Sequence, residues 1–300
     1  TGVALAGLPV YDLASANRRY TDMNVVRELC SCEDASYKAL TLEGSKRTGS
    51  RWLPSWNANY TFASSIDQDS NERSTSTSFL FDPLNPSFSE GPSDNDVRHR
   101  FVGSAIYKLP YGIQASAIFQ ARSGLPYNPG IAFTGVGIAG SPTSLNGLSQ
   151  TTGNIPIFVD GNGAVINLVD LNTQFNTGGT PGPTRTEFAN YLTSRNARII
   201  GRNAYRQPSW HTVDLRLAKT FDLRTASRNM QVQVMVEGFN LLATRNLFIG
   251  NNNQFRATFT QATGKYTFTS LEGPTGFGVT TGYANAPDPR QAQVAVKFIF

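Results

Sequence analysis

What this chain lacks narrows its identity first. Nowhere does it hold a run of about 18 apolar residues, which excludes a transmembrane helix but not a barrel, because barrel strands signal far more weakly. Charge is scarce as well: Asp, Glu, Lys and Arg make up 16% of the 300 residues, against about a quarter in ordinary soluble domains. With 39% hydrophobic residues, the chain is short of charge without being greasy. Cysteine is confined to Cys30 and Cys32, one residue apart. That is no zinc pattern, since a tetrahedral site needs four ligands; they read as two ordinary thiols, with a strained or redox-active pair as the alternative. Histidine is confined to His99 and His211, and neither stands in a Ser or Cys arrangement that would make a triad. The chain is therefore read as not an enzyme, with no catalytic residue, cofactor or metal ligand expected. The formal net charge is +5, but the basic residues are scattered, and no nucleic-acid partner is expected. The chain starts at Thr1 with neither an initiator Met nor a charged-then-apolar leader, so any signal peptide is expected to have been removed or to lie upstream.

What is present is alternation. In Arg290–Phe300 the residues Ala292, Val294, Val296, Phe298 and Phe300 fall on one face of a strand, and Gln291, Gln293, Ala295, Lys297 and Ile299 on the other. A tilted strand of about 9 to 11 residues crosses a bilayer in a barrel, with apolar side chains toward lipid. The segment is similar to the C-terminal assembly signal of bacterial outer-membrane barrels, carried here by Val294, Val296, Phe298 and Phe300. Read alone, it also fits the last strand of a soluble sandwich.

The rest of the chain repeats the pattern. Arg51–Ala63 sets Trp56, Ala58, Tyr60 and Phe62 against Ser55, Asn57, Asn59 and Thr61. Aromatics at its two ends, Trp52 or Trp56 and Tyr60 or Phe62, are placed to sit at the two membrane interfaces. Tyr37–Lys46, Val97–Leu109, Ile113–Arg122, His211–Phe221 and Asn229–Phe239 alternate likewise. Met23–Cys32 fits less well, since it puts Arg27 or Glu28 on any lipid face. Counted back from the terminus, the connections alternate long and short, with the short ones at 222–228, 110–112 and 47–50. Outer-membrane barrels have short periplasmic turns and longer extracellular loops, whereas a sandwich has no reason to sort loop length by side.

The loops carry their own signals. Ser64–Asp96 is acidic, with Asp67, Asp69, Glu72, Asp82, Glu90, Asp94 and Asp96, and reads as solvated surface; calcium binding there or at Asp160 and Asn162 is the weaker reading. Ser123–Ser209 is too long to lack structure of its own. Within it, Ile155–Val159 and Ala164–Leu168 read as a hairpin, and Thr184 with Glu187 as a capping box opening a helix. A second hairpin is expected over Phe255–Leu271. Gly135, Gly137 and Gly140 spell GxGxxG, but no helical period follows, so a glycine-rich loop is the better reading than a dinucleotide site. His99 is expected to hydrogen-bond at a strand start. Asp94 and Asp96 read as ordinary loop aspartates in preference to a catalytic carboxylate pair.

Several stretches resemble the TonB-dependent receptors of the Oar-like type. They are Ser36–Leu40, Gly91–Phe101, Ser123–Tyr127, Gly201–Asn203, Val213–Leu217, Glu237–Leu242 and Asp288–Gln291, with 96–101 and 237–242 the most specific. The resemblance implies a larger protein with a plug and a barrel of about 22 strands. On that basis the fold is expected to be all-β: an antiparallel transmembrane barrel, with residues 1–300 forming a C-terminal part of about eight spanning strands, long extracellular loops and no plug domain. Small or polar inward residues such as Ser55, Asn57, Thr61, Ser116 and Gln233 suit a wide, wet or plugged lumen. The implied partners are outer-membrane lipid and lipopolysaccharide, the barrel-assembly machinery, TonB acting through a missing N-terminal part, and an extracellular ligand. Two alternatives stand beside this: a complete small barrel with a structural or adhesive role, and a secreted all-β carbohydrate-binding protein.

Overall fold

The computed structural model describes residues 34–48, 53–68, 70, 85–135, 154–225, 228–260, 262–273, 277–278 and 290–299. The expected strand at Met23–Cys32, the Cys30 and Cys32 pair, Trp52, Gly137, Gly140 and Phe300 lie outside them.

Seven long strands form one antiparallel sheet: β1 (Ala35–Lys46), β2 (Ser55–Asp67), β3 (His99–Leu109), β4 (Ile113–Arg122), β5 (Trp210–Thr225), β6 (Arg228–Phe239) and β7 (Gln291–Ile299). Their order in the sheet is their order in the chain. Each expected strand within the described residues is present, with ends moved by a few positions. The second begins only at Ser55, after Pro54, whose missing N–H cannot serve the ladder.

Register turns the separate alternations into one surface. Leu42 faces Tyr60, Tyr60 faces Phe101, Phe119 faces Val213, Leu217 faces Val236, and Val236 faces Val294, so the apolar residues of all seven strands share a side. A slip of one residue in any pair would send that strand's apolar set to the opposite side. Among the described residues no layer covers this surface: Val294, Val296 and Phe298 are 70, 54 and 59% exposed. The described strands do not form a two-layer sandwich, in which these side chains would be buried. Lys219 is an exception to the apolar side, and its Nζ lies 4.9 Å from the Phe221 ring centre, on the side of the nearer rim. The opposite side is polar. There Arg216 pairs with Glu237 at 3.4 Å, Asn57 donates to Glu43 at 3.3 Å, and Gln233 donates to Thr220 at 3.3 Å.

Because the sheet is a simple meander, its connections fall on alternate rims. Residues 47–54, 110–112 and 226–227 close one rim, and 68–98, 123–209 and 240–290 close the other, sorted by length as the sequence predicts. At 110–112 the backbone turns through Tyr111 and Gly112 at φ 61° and 72°, and a Cβ on Gly112 would stand 3.2 Å from the Thr220 carbonyl oxygen. Glycine suits that position because it alone enters the left-handed region freely. Among the described residues β1 and β7 each pair with a single long strand, so the sheet has two free edges.

The hydrophobic core lies outside the wall, at the long-loop rim. Strands Lys265–Ser270, Asn253–Thr260, Gly130–Gly135 and Asn154–Pro156 form a four-stranded sheet in that order. Its central pair, Asn253–Thr260 beside Gly130–Gly135, is parallel and joins two different long loops. Helices α1 (Asp170–Gln174) and α2 (Arg185–Ser194) complete this cap. Ile131, Phe158, Leu168, Leu171, Phe188, Leu192, Tyr266 and Phe268 are nearly or fully buried, and the Phe188 ring lies 5.8 Å from Phe158 and 5.2 Å from Phe268.

The expected helix and the hairpin over Phe255–Leu271 are present, but the one expected from Ile155–Val159 and Ala164–Leu168 is reduced to a turn with a single bridge, Val159 to Val165, because Asn154–Pro156 pairs with Gly130–Ala132 and Phe158–Val159 with Arg198–Ile199. Thr184 and Glu187 form the capping box, Phe188 and Leu192 face inward, and Asn196 at φ 49° ends the helix. The backbone and side chain of Thr184, in that order, hold the Glu187 carboxyl below its usual range. Asp160 closes its own turn, accepting from the Asn162 and Ala164 amides at 2.9 Å each. Lys265 is buried, and its ammonium caps the carbonyls of Phe175 and Thr180 at 3.0 and 2.9 Å.

Candidate functional site

The acidic segment is not solvated surface where it enters and leaves the wall. Asp67 is 7% exposed and Asp96 is 1% exposed, which corrects the sequence-based expectation. Two arginines from the segment returning to β5 account for this. The Arg202 guanidinium pairs with the Asp67 carboxylate and donates to the Asp67 carbonyl at 2.9 Å and to Ser70 Oγ at 2.7 Å. Arg206 pairs with the Asp96 carboxylate and donates to the Asp96 carbonyl at 2.9 Å and the Gly124 carbonyl at 3.2 Å. Buried charges persist only when paired and hydrogen-bonded, and here both conditions hold.

Neighbouring groups lock the same junction. Asn203, at φ 55°, donates from Nδ2 to Asp94 Oδ1 at 2.6 Å and to the Pro92 carbonyl at 2.8 Å. Asp96 Oδ1 accepts the Ser65 amide at 2.7 Å. A Cβ on Gly124 would overlap the Gln207 carbonyl oxygen, so the chain passes there only as glycine. Tyr127 and Tyr205 meet edge to face at 5.9 Å, and burial, then Tyr205, push the Tyr127 hydroxyl above its usual range. Three of the stretches that carry the family resemblance, 91–101, 123–127 and 201–203, thus converge on one latch. It clamps the cap to the ends of β2 and β3.

The other flagged residues have structural duties or lie apart. His99 begins β3 and its Nδ1 lies 2.8 Å from the Tyr60 hydroxyl, with the tilted Phe62 ring 5.2 Å away, on the apolar side near the long-loop rim. This is the strand-start hydrogen bond expected of it. Gly135 ends a cap strand. Among the described residues no group of three or more His, Cys, Asp or Glu is placed to hold a metal. Val294, Val296 and Phe298 line the exposed apolar side of β7, opposite Val236, Val234 and Val232.

On the polar side, below the latch, the wall carries an open cavity of about 750 Å³. Tyr37, Thr41, Thr61, Arg100, Gln120, Arg122 and Trp210 are among its lining residues. Arg100 and Arg122 stand directly opposite each other in the β3–β4 ladder. Trp210 faces Arg122 from β5, and the guanidinium carbon lies 5.2 Å from the indole centre. Periodicity marks these residues as inward-facing. That β3 and β4 bring the two arginines level follows from the 110–112 turn fixing the register.

An uncovered apolar side, a wet opposite side, tight turns at one rim and folded loops at the other define a class: the wall of a transmembrane β-barrel. A family model described as "Outer membrane beta barrel domain" matches residues 9–293, and the chain belongs to that family. It resides in the outer membrane, where barrels have their tight turns toward the periplasm and their longer loops outside. No curated protein and no solved structure matches it. No described helix is long and apolar enough to span a bilayer, and the crossing is made by strands.

Proposed function

We propose that this chain forms wall strands and ligand-facing outer loops of a TonB-dependent receptor of the Oar-like type, which takes up a solute from outside the cell. The observation that carries the reading is the polar inner side, with Asn57, Thr61, Gln120 and two arginines, on a sheet whose edge strands β1 and β7 each have one long partner among the described residues. A small closed barrel fills its interior with side chains, whereas a wide one leaves a wet lumen. On this reading β1 and β7 pair with further strands, a plug fills the lumen, and TonB acts through an N-terminal part. Val294, Val296, Phe298 and Phe300 present the assembly signal to the barrel-assembly machinery. Lipid and lipopolysaccharide meet the apolar side. The chain performs no catalysis; its work is binding and passage.

Solute depletion from defined medium, followed by mass spectrometry, tests this in wild-type cells, cells lacking the protein and cells without TonB. At least one solute is expected to persist in both deficient cultures and to disappear in the wild type. Equal depletion in all three would overturn the reading.

A further inference from the structure

The cavity on the polar side has an electrostatic feature that its neighbours do not explain. Arg100 and Arg122 oppose each other directly in the ladder, where side chains are separated by about 5 Å at Cβ and like charges destabilise. The ion pairs formed by the described residues lie elsewhere: Arg98 with Asp96, Arg202 with Asp67, Arg206 with Asp96 and Arg216 with Glu237. Among the described residues neither Arg100 nor Arg122 has a carboxylate partner. Trp210 holds the Arg122 plane by cation–π contact, and Tyr37, Thr61 and Gln120 line the same cavity with hydrogen-bonding groups.

We propose that Arg100 and Arg122 form an oxyanion site in the lumen, taking the carboxylate or phosphate of a small anionic solute between their guanidinium groups. Planar guanidinium forks match carboxylate and phosphate geometry, and an anion between them converts the mutual repulsion into two attractive contacts. The approximately 750 Å³ cavity is in the range of sites for small solutes. As the identity of a transported solute, the inference rests on the receptor reading; as a binding site, it stands alone.

Thermal unfolding of the full-length protein, purified in detergent, tests it with citrate and inorganic phosphate as probes. Either anion is expected to raise the unfolding temperature of the wild type saturably. In R100Q/R122Q the apparent affinity falls by about tenfold or more, as loss of charge-assisted hydrogen bonds requires. Without anion, the double variant is expected to be at least as stable as the wild type, since a repulsive pair has been removed. R100K/R122K is expected to retain weaker binding. The proposal is overturned by the absence of a shift with both anions, by equal shifts in wild type and R100Q/R122Q, or by a less stable anion-free double variant, which would mean that the arginines already serve a carboxylate of the protein. If the shift is present and TonB-dependent depletion is absent, the receptor reading falls and the site stands; the converse result removes the site alone.

Discussion

Arg202 and Asp67, 135 positions apart in the chain, form a buried ion pair at the outer rim. Their side chains are 6 and 10% exposed, so water cannot replace either partner once it is lost. Arg202→Ala or Asp67→Ala is expected to destabilise the latch by about 3 to 5 kcal/mol, because each leaves a buried charge uncompensated. Limited proteolysis should cut within 123–209 faster in either variant, while the wall keeps its heat-modifiable migration in gels. Arg202→Lys should rescue poorly, since an ammonium cannot reproduce the guanidinium fork that reaches Asp67 and Ser70 together. Unchanged cleavage would remove the latch from this account.

The cap has its own core, centred on Phe188. Phe188→Ala is expected to cost about 3 to 5 kcal/mol through lost burial and the cavity left behind. Hydrogen exchange should accelerate across α2 and Lys265–Ser270 and remain slow in β3 to β6. Uniform acceleration through both regions would show that cap and wall unfold as one unit.

Burial pushes the Tyr266 hydroxyl up to about 12 from 10.0. Its folded-state value is raised, so the stability linked to the neutral phenol is fully present below pH 10.0 and is lost as pH rises toward about 12. Alkaline titration followed by tyrosinate absorbance should show this phenol ionising late, with cap opening. Tyr266→Phe should delete that late step. A Tyr266 that ionises without delay, near 10.0, would contradict the burial.

Lipid faces one side of the wall only. Val296→Arg is expected to cost about 2 to 4 kcal/mol near the bilayer midplane and less near the interface. Gln233→Arg, on the polar side, should be nearly silent. Urea unfolding from phospholipid vesicles separates the two, and equal effects would refute the assignment of sides.

Gly124 lies against the Gln207 carbonyl. Gly124→Ala is expected to displace residues 205–208 and to loosen the hydrogen bonds between Gln207 and Ile249, whose amide reaches Gln207 Oε1 at 2.7 Å. Nuclear magnetic resonance in micelles should report shifts at both loops. Shifts confined to residues next to Gly124 would argue against the close approach.

The wall was legible in the sequence because its signal is local. Trp56, Ala58, Tyr60 and Phe62 declare a side at every second residue, and a tight turn such as 110–112 then fixes which neighbour is met. The capping box of α2 was legible for the same reason. The latch was not, since nothing near Asp67 announces an arginine 135 positions later, and an acidic, serine-rich segment has the composition of exposed loop. The parallel pairing of Gly130–Gly135 with Asn253–Thr260 was equally hidden, because parallel partners share no turn to mark them. Arg100 and Arg122 were legible as inward-facing, but not as a pair held beside Trp210.

That parallel pairing also governs how the outside of the molecule can move. Two loops knitted strand to strand cannot swing as separate flaps; displacing either one breaks main-chain hydrogen bonds belonging to both. On the receptor reading proposed above, a solute passing from the medium to the lumen has to shift this knitted roof about its anchorage at the rim, or skirt it altogether.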